Sequence, residues 1–208
     1  MTRTEDSRSS LLVEIHDATV VIIRINRPAQ RNALSQTILE ALDATTSQIA
    51  EQTNVKAIVF TGTEDVFASG ADIRELQTLD VAKAREFAER GQRIFQKIAD
   101  APQLTIAAIN GYCMGGGLDL ALACDARVAS SGAVFAHPGA NLGIVTGWGG
   151  TQRLPRLVGR ARALEMFFTA RPLTSREALE WNLIDRISDP VLEGALEVAR
   201  SVLYNKHQ

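Results

Sequence analysis

The stretch NGYCMGGGLDLALACD, from Asn110 to Asp125, decides how the rest of the chain is read. It stands between an apolar, strand-like run, Leu104 to Ile109, and a helical apolar pattern, so Gly115, Gly116 and Gly117 mark a strand-to-helix turn. Glycine there lets a ligand approach the backbone closely, and the free N–H groups of a helix start suit a developing negative charge. Two readings stay open on these residues alone. One is an oxyanion-binding turn; the other is a tight structural turn or a phosphate cradle. No Lys-Ser/Thr pair follows the glycines, so a Walker-type phosphate loop fits poorly.

Upstream, the same order of strand, turn and helix occurs again. Val55 to Thr61 is an apolar, β-branched run, and FASGADIRE, Phe67 to Glu75, lies between it and a helix over Val81 to Asp100. Phe87, Ala88, Gly91, Ile94, Phe95 and Ile98 line one face of that helix. Leu11 to His16 and Val20 to Asn26 read as a hairpin joined by Asp17-Ala18-Thr19, and a helical pattern follows from Leu34 to Glu51. Downstream come a strand at Ala126 to Ala129, a glycine-rich segment from Pro138 to Gly150, and helical patterns near 152–157 and 160–170. Thr174 or Ser175 caps a helix through Trp181, Ile184 to Ser188 reads as a short strand, and Val191 to Leu203 as a last helix. Repeated strand-turn-helix units predict an α/β architecture.

A length of 208 residues predicts one domain, 11–208, behind a loose polar tail at 1–10. With 46% hydrophobic residues the chain can build a core without staples, so Cys113 and Cys124 read as small core residues in a reducing, cytoplasmic setting. The balance of 22 Lys+Arg against 24 Asp+Glu offers no broad field for nucleic acid. No apolar run reaches membrane-spanning length, and neither metal-ligand spacing nor a GxGxxG turn occurs, so no membrane, metal or nicotinamide is expected.

Four segments taken together resemble the enoyl-CoA hydratase/isomerase, or crotonase, superfamily: RPAQRNALS (27–35), FASGADI (67–73), NGYCMGGGLDLALACD (110–125) and GWGGTQRLPRLVG (147–159). They run in family order and span nearly the whole chain. The resemblance implies a ClpP/crotonase-like spiral of repeated ββα units. It also implies an acyl-CoA substrate whose thioester oxygen is held by the N–H groups of Ala71 and Gly116, stabilising an enolate. Contacts to coenzyme A are implied at Arg31, Ala33, Leu34, Ala71, Asp72, Ile73 and Gly116. Arg31 and Arg74 equally fit solvated charges. Coenzyme A enters as part of the substrate, with no prosthetic group. The family further implies a homo-oligomer, a trimer or dimer of trimers, with C-terminal helices beyond the length seen here; exposed apolar surface would then be covered by a partner subunit.

Against the family pattern, one acidic position of two is kept. Hydratases of the family use two glutamates; Asp119 stands at the first position and Gly139 at the second, where the single-base isomerases also carry their carboxylate. Thr146 occupies a third position, where other members place Asp or Tyr, and a threonine hydroxyl is a poor base. Asp119 is therefore the acid-base candidate, although a helix first turn favours an acid for its dipole alone. His137 fits a proton shuttle, or the commoner structural histidine. Asp72 reads as a helix cap bracing Ala71, and Trp148 as either a pocket wall or plain packing. The resulting expectation is an acyl-CoA lyase or isomerase of fatty-acid type, with standard two-glutamate hydration in doubt. Decarboxylation of a malonyl-type thioester and non-catalytic acyl-CoA binding are the alternatives. A Clp-type serine protease is disfavoured because no serine sits in the glycine turn beside a histidine.

Overall fold

The computed structural model describes residues 9–205, so most of the expected tail at 1–10 lies outside the described residues. Ser9 and Ser10 are tied to the fold by Asn26, whose side-chain amide and backbone N–H donate to their carbonyls at 3.0 and 2.9 Å.

The chain opens as a hairpin of β1 (Leu11–His16) and β2 (Val20–Ile25), with Asp17 and Ala18 at φ 42° and 61° in its turn. Then follow α1 (Gln36–Ala50), β3 (Ala57–Thr61), β4 (Val66–Ala68), α2 (Ile73–Leu76), α3 (Val81–Ala99), β5 (Leu104–Ile109), β6 (Tyr112–Met114) and α4 (Gly116–Ala123). The remainder runs β7 (Ala126–Ala129), β8 (Val134–Ala136), α5 (Gly150–Val158), α6 (Arg160–Thr169), β9 (Leu173–Thr174), α7 (Ser175–Glu180), β10 (Arg186–Ile187) and α8 (Val191–Asn205).

Three successive strand pairs, β3–β4, β5–β6 and β7–β8, each give one strand to each of two sheets. The larger sheet has the order β1-β2-β3-β5-β7-β10 and is parallel except at β1–β2. The smaller has the order β4-β6-β8-β9, parallel up to β8. After each pair the chain turns into a helix, which is the expected spiral of ββα units.

Parallel strands covered on both faces need apolar residues throughout, and β3 is buried along its whole length. Its Ala57 and Val59 pack under Ala195, Leu196 and Ala199 of α8, while Ile58 and Phe60 join the core beneath α1, α3 and α4. The longer helices fall where the hydrophobic period places them and the longer strands where the apolar runs do. Two details differ: α1 begins at Gln36 behind its cap Ser35, leaving Leu34 paired with Ala71, and the strand expected over Ile184 to Ser188 is only Arg186–Ile187. The second sheet was not legible, because strands of two or three residues are too short to show a period of two.

Candidate active site

Two turns meet at the ends of β4 and β6. Where β4 runs out, Gly70 has φ +102°, and a Cβ on it would lie 3.0 Å from the Met114 carbonyl oxygen and 3.2 Å from the Gly116 nitrogen. Only glycine admits both that backbone and that approach. Across the gap, a Cβ on Gly116 would fall 2.4 Å from the Trp148 ring and 3.4 Å from the Ala71 nitrogen. The turns are thus locked against each other with the nitrogens of Ala71 and Gly116 side by side.

Neither N–H is consumed by the fold. Gly116 is the first residue of α4, and the first N–H groups of a helix have no intrahelical acceptor. Ala71 pairs with Leu34 in parallel fashion, but the hydrogen bonds run from the Leu34 N–H to the Gly70 carbonyl (2.8 Å) and from the Asp72 N–H to the Leu34 carbonyl (3.3 Å). The residues on either side of Ala71 make the bridge, and its own N–H is left over.

Both turns open on a cavity of about 250 Å³. Leu76, Leu79, Phe87, Ile144, Val145 and Trp148 make most of its wall apolar. Trp148 answers to both of its readings: it lines the cavity, and it is packed against Phe87 and Phe95 with ring centroids 5.1 and 5.5 Å away. A second, larger cleft of about 610 Å³ shares Thr146 and Gly147 but is lined by Arg93, Arg153 and Arg156 and touches neither Ala71 nor Gly116. Size alone would favour it, but the two unpaired donors both line the smaller cavity.

The polar part of the wall is Asp119, His137 and Thr146. Asp119 projects from α4 and is wholly buried, and the Thr146 hydroxyl donates to its Oδ2. Burial raises its carboxyl to about 7 despite the opposing pull of Thr146, the Trp148 N–H and the charge of Arg153. Nε2 of His137 lies 3.6 Å from Oδ1 of Asp119. Burial lowers this imidazole to about 4, so it is neutral and the contact is not an ion pair. Oδ1 of Asp119 and both ring nitrogens of His137 are buried without a hydrogen-bond partner.

Gly139 sits in the short 3-10 turn Pro138–Leu142, closed by the Ile144 N–H donating to the Gly139 carbonyl at 3.0 Å. A Cβ there would stand 2.5 Å from the Ile144 carbonyl oxygen. The turn as folded admits no side chain at that position.

Beside the cavity, Arg31 is exposed in a left-handed conformation, φ 50°, with its guanidinium 5.0 Å from the Tyr112 ring centroid. Ala33 and Leu34 are closed to solvent, and their carbonyls already accept from Arg27 (2.7 Å) and from the Asp72 N–H. Asp72 caps α2 through the Arg74 N–H and is held below the usual carboxylate range by the Arg74 guanidinium at 3.1 Å. Ile73 is half exposed at the cavity edge. One residue escaped notice in the sequence: buried Asn32, whose amide donates to the Val66 carbonyl (2.7 Å) and whose Oδ1 accepts from the Arg27 N–H (2.9 Å), pinning the 27–33 loop to β4. Its signal was an Asn between two loop residues and a strand-like Leu, too common to single out.

Among the described residues no group of three or more His, Cys, Asp or Glu is placed to hold a metal, and no helix is long and apolar enough to cross a membrane. Both cysteines are free and buried, and burial pushes the Cys124 thiol up to about 12.

A spiral of parallel ββα units with two interlocked glycine turns over an apolar cavity defines the crotonase fold class. The chain belongs to the enoyl-CoA hydratase/isomerase family, a family of acyl-CoA enzymes, whose model matches residues 16–207. It is similar to a short-chain-enoyl-CoA hydratase of Clostridium acetobutylicum, 37% identical over 91% of this chain and 74% of that protein. A crotonyl-CoA hydratase of Syntrophomonas wolfei is 42% identical over 82% of this chain and 66% of its own length. Among solved structures, an enoyl-CoA hydratase from Bacillus anthracis superposes with a TM-score of 0.89 at 35% identity, covering 94% of this chain and 77% of that one.

Proposed function

We propose that this chain binds a short acyl-CoA and holds the thioester oxygen between the N–H groups of Ala71 and Gly116, stabilising the enolate that forms there. The carrying observation is the pair of unspent donors locked together in an apolar cavity. Donors fixed in advance, in a place where water is scarce, stabilise developing charge without reorganising. A wall of Leu76, Leu79, Phe87, Ile144 and Val145 around about 250 Å³ suits a short aliphatic acyl group. Arg31 and Ile73 are the accessible candidates for coenzyme A contact, whereas Ala33, Leu34 and Asp72 act by shaping the turn.

Asp119 is the proton carrier in this reading, because a carboxyl near 7 holds and releases a proton readily at neutral pH. With Gly139 unable to supply a second carboxylate, two-glutamate hydration is not the mechanism proposed. A malonyl-type substrate fits less well, since among the described residues lining the cavity there is no Lys or Arg to meet its second carboxylate. A turnover screen over enoyl and malonyl thioesters, followed by mass spectrometry, tests the reading. Conversion of an enoyl thioester is expected; carbon dioxide release from a malonyl thioester alone, or binding without any turnover, would replace it.

A homo-oligomer belongs to the same proposal. Phe168 and Val145 are 76% and 67% exposed, apolar surface of the kind that a partner subunit covers. Light scattering is expected to give a multiple of 22.5 kDa, and a monomeric mass would remove this part.

A further inference from the structure

We propose that His137 is a second proton-carrying residue of the site, and that with Asp119 it forms a closed pair moving a proton between two carbons of an enoyl thioester. The reaction so assigned is a shift of the double bond, not the addition of water. This rests on the reading that Ala71 and Gly116 hold the thioester oxygen.

Three observations converge on it. Asp119 and His137 are the only titratable side chains among the described residues that line the cavity, and the turn at Gly139 has no room for another. Their facing atoms, Oδ1 and Nε2, stand 3.6 Å apart, each buried without a partner, with Nδ1 equally unpaired. Such atoms are rare and call for an explanation; hydrogen bonds of catalytic groups are often long in an empty site and tighten when substrate arrives. Finally, the pair is shut off from solvent, with side chains 0% and 3% exposed. In such a closed, apolar setting a proton held by the pair is kept from exchanging with bulk water, which suits one passed between two carbons of the same substrate. Packing alone does not account for His137: it lies against Phe167, ring centroids 5.0 Å apart, where an apolar side chain would leave no nitrogen unpaired.

Opposite environments divide the roles. The carboxyl keeps its proton up to about 7 and the imidazole stays unprotonated down to about 4, so the resting pair is an acid beside a base. The imidazole takes a proton from the α-carbon of a 3-enoyl thioester. The electron pair of that C–H bond enters the dienolate, whose charge rests on the oxygen facing Ala71 and Gly116. The Asp119 carboxyl then gives its proton to the γ-carbon, forming the new C–H bond and leaving the double bond conjugated with the thioester. Imidazolium and carboxylate now face each other, and the proton passes back to Asp119. One proton is taken, one is given, and the pair returns to its starting state. The other ionisable groups facing it are Arg153 from α5 and the Cys113 thiol from β6.

The test uses the full chain with a short 3-enoyl-CoA, read for the 2-enoyl product and for hydroxyacyl-CoA, comparing wild type, His137→Gln and Phe167→Leu. Glutamine keeps polar atoms but cannot carry the proton. The wild type is expected to form the 2-enoyl product. His137→Gln is expected to lose about a hundredfold or more in kcat, with acyl-CoA affinity by calorimetry changed less than about threefold. Phe167→Leu, which alters only the packing, should retain turnover. Wild-type kcat should fall as pH rises through about 7, where Asp119 loses its proton. The residual rate of His137→Gln should instead rise over that range, because Asp119 must then act as the base. Unchanged turnover in His137→Gln, equal losses in His137→Gln and Phe167→Leu, or hydroxyacyl-CoA as sole product would each overturn the pair. A wild type that does not bind acyl-CoA would overturn the thioester reading itself, and the pair with it.

Discussion

The two halves of the cavity wall are made of different material. Around Ala71 and Gly116 the wall is backbone, two turns so close that a single added carbon on Gly70 or Gly116 meets the other turn or Trp148. Around Asp119, His137 and Thr146 it is side chains, brought from α4, from the end of β8 and from the loop before α5. The backbone half is fixed by steric exclusion, and its donors stay where they are whatever side chains surround them. The side-chain half carries unpaired buried atoms and can be rewritten residue by residue. A family can therefore keep one half and vary the other, holding the charge in the same place while changing where protons come from.

The largest effect is expected from breaking the backbone half. Gly116→Ala puts a methyl 2.4 Å from the Trp148 ring, so either the ring or the turn moves, and with the turn goes the donor beside Ala71. Loss of one such donor lowers kcat by about a hundred- to thousandfold, and displacing the Gly116 turn from its place beside Ala71 should lower kcat/KM by about a thousandfold or more. Steady-state kinetics on an enoyl thioester measures it. A variant with near-normal kcat would show that the two turns are not coupled.

Next comes Asp119→Asn, which sharpens the contrast because it should separate activity from stability. Turnover is expected to drop by about a hundredfold or more. Stability should move the other way. The folded pKa is raised from 3.8 to about 7, so the stability linked to the protonated carboxyl is fully present below the unfolded value and is lost as pH rises through about 7. At pH near 8 the ionised, buried carboxylate costs up to about 4 kcal/mol, and Asn removes that while keeping an oxygen for Thr146. Urea unfolding should find the variant more stable than wild type near pH 8 and the advantage gone near pH 4. Equal stabilities at both values would mean that burial does not control this carboxyl.

The same contrast explains what could be read from the chain. Gly116 and the turn that holds Gly70 were legible because close backbone contact admits almost nothing but glycine, and the longer elements because Val20 to Ile25 is a nearly unbroken apolar run and Val81 to Ala99 is long enough to show a helical period. The short strands β4, β6 and β8 carry too few. His137 was legible only as one of two readings, a proton shuttle or the commoner structural histidine, because nothing local to a histidine between an Ala and a Pro announces the carboxyl that the fold sets 3.6 Å away on another element. Loss of a side chain at Gly139 was visible in the sequence, but the reason a glutamate cannot simply be restored lies in the Ile144 carbonyl, which no local pattern announces.

Gly139→Ala tests that last point with a smaller effect. The added methyl, 2.5 Å from a backbone oxygen, should destabilise the fold by roughly 1–3 kcal/mol, the range for forced overpacking, with a proportionate fall in Tm. Gly139→Glu should be no less destabilising and should not raise hydration of a 2-enoyl thioester. A stable Gly139→Glu protein that gains hydratase activity would show that the turn yields easily, and that the side-chain half is even more open to rewriting than the contacts imply.

The smallest effect is expected outside both halves, at Arg31. Its guanidinium lies over the Tyr112 ring at the surface and outside the lining of the cavity, so on the proposed acyl-CoA reading its part is to hold coenzyme A equally in the ground and transition states. Exposed charge contacts are worth only about 0.2–1 kcal/mol. Arg31→Ala should therefore raise KM by a factor of about two to five and leave kcat alone, and the difference from wild type should shrink as salt is added. A fall in kcat of the size expected for Asp119→Asn would contradict this, because it would mean that the 27–33 loop, pinned to β4 through Asn32, passes the loss of a surface charge on to the Ala71 turn that Leu34 holds.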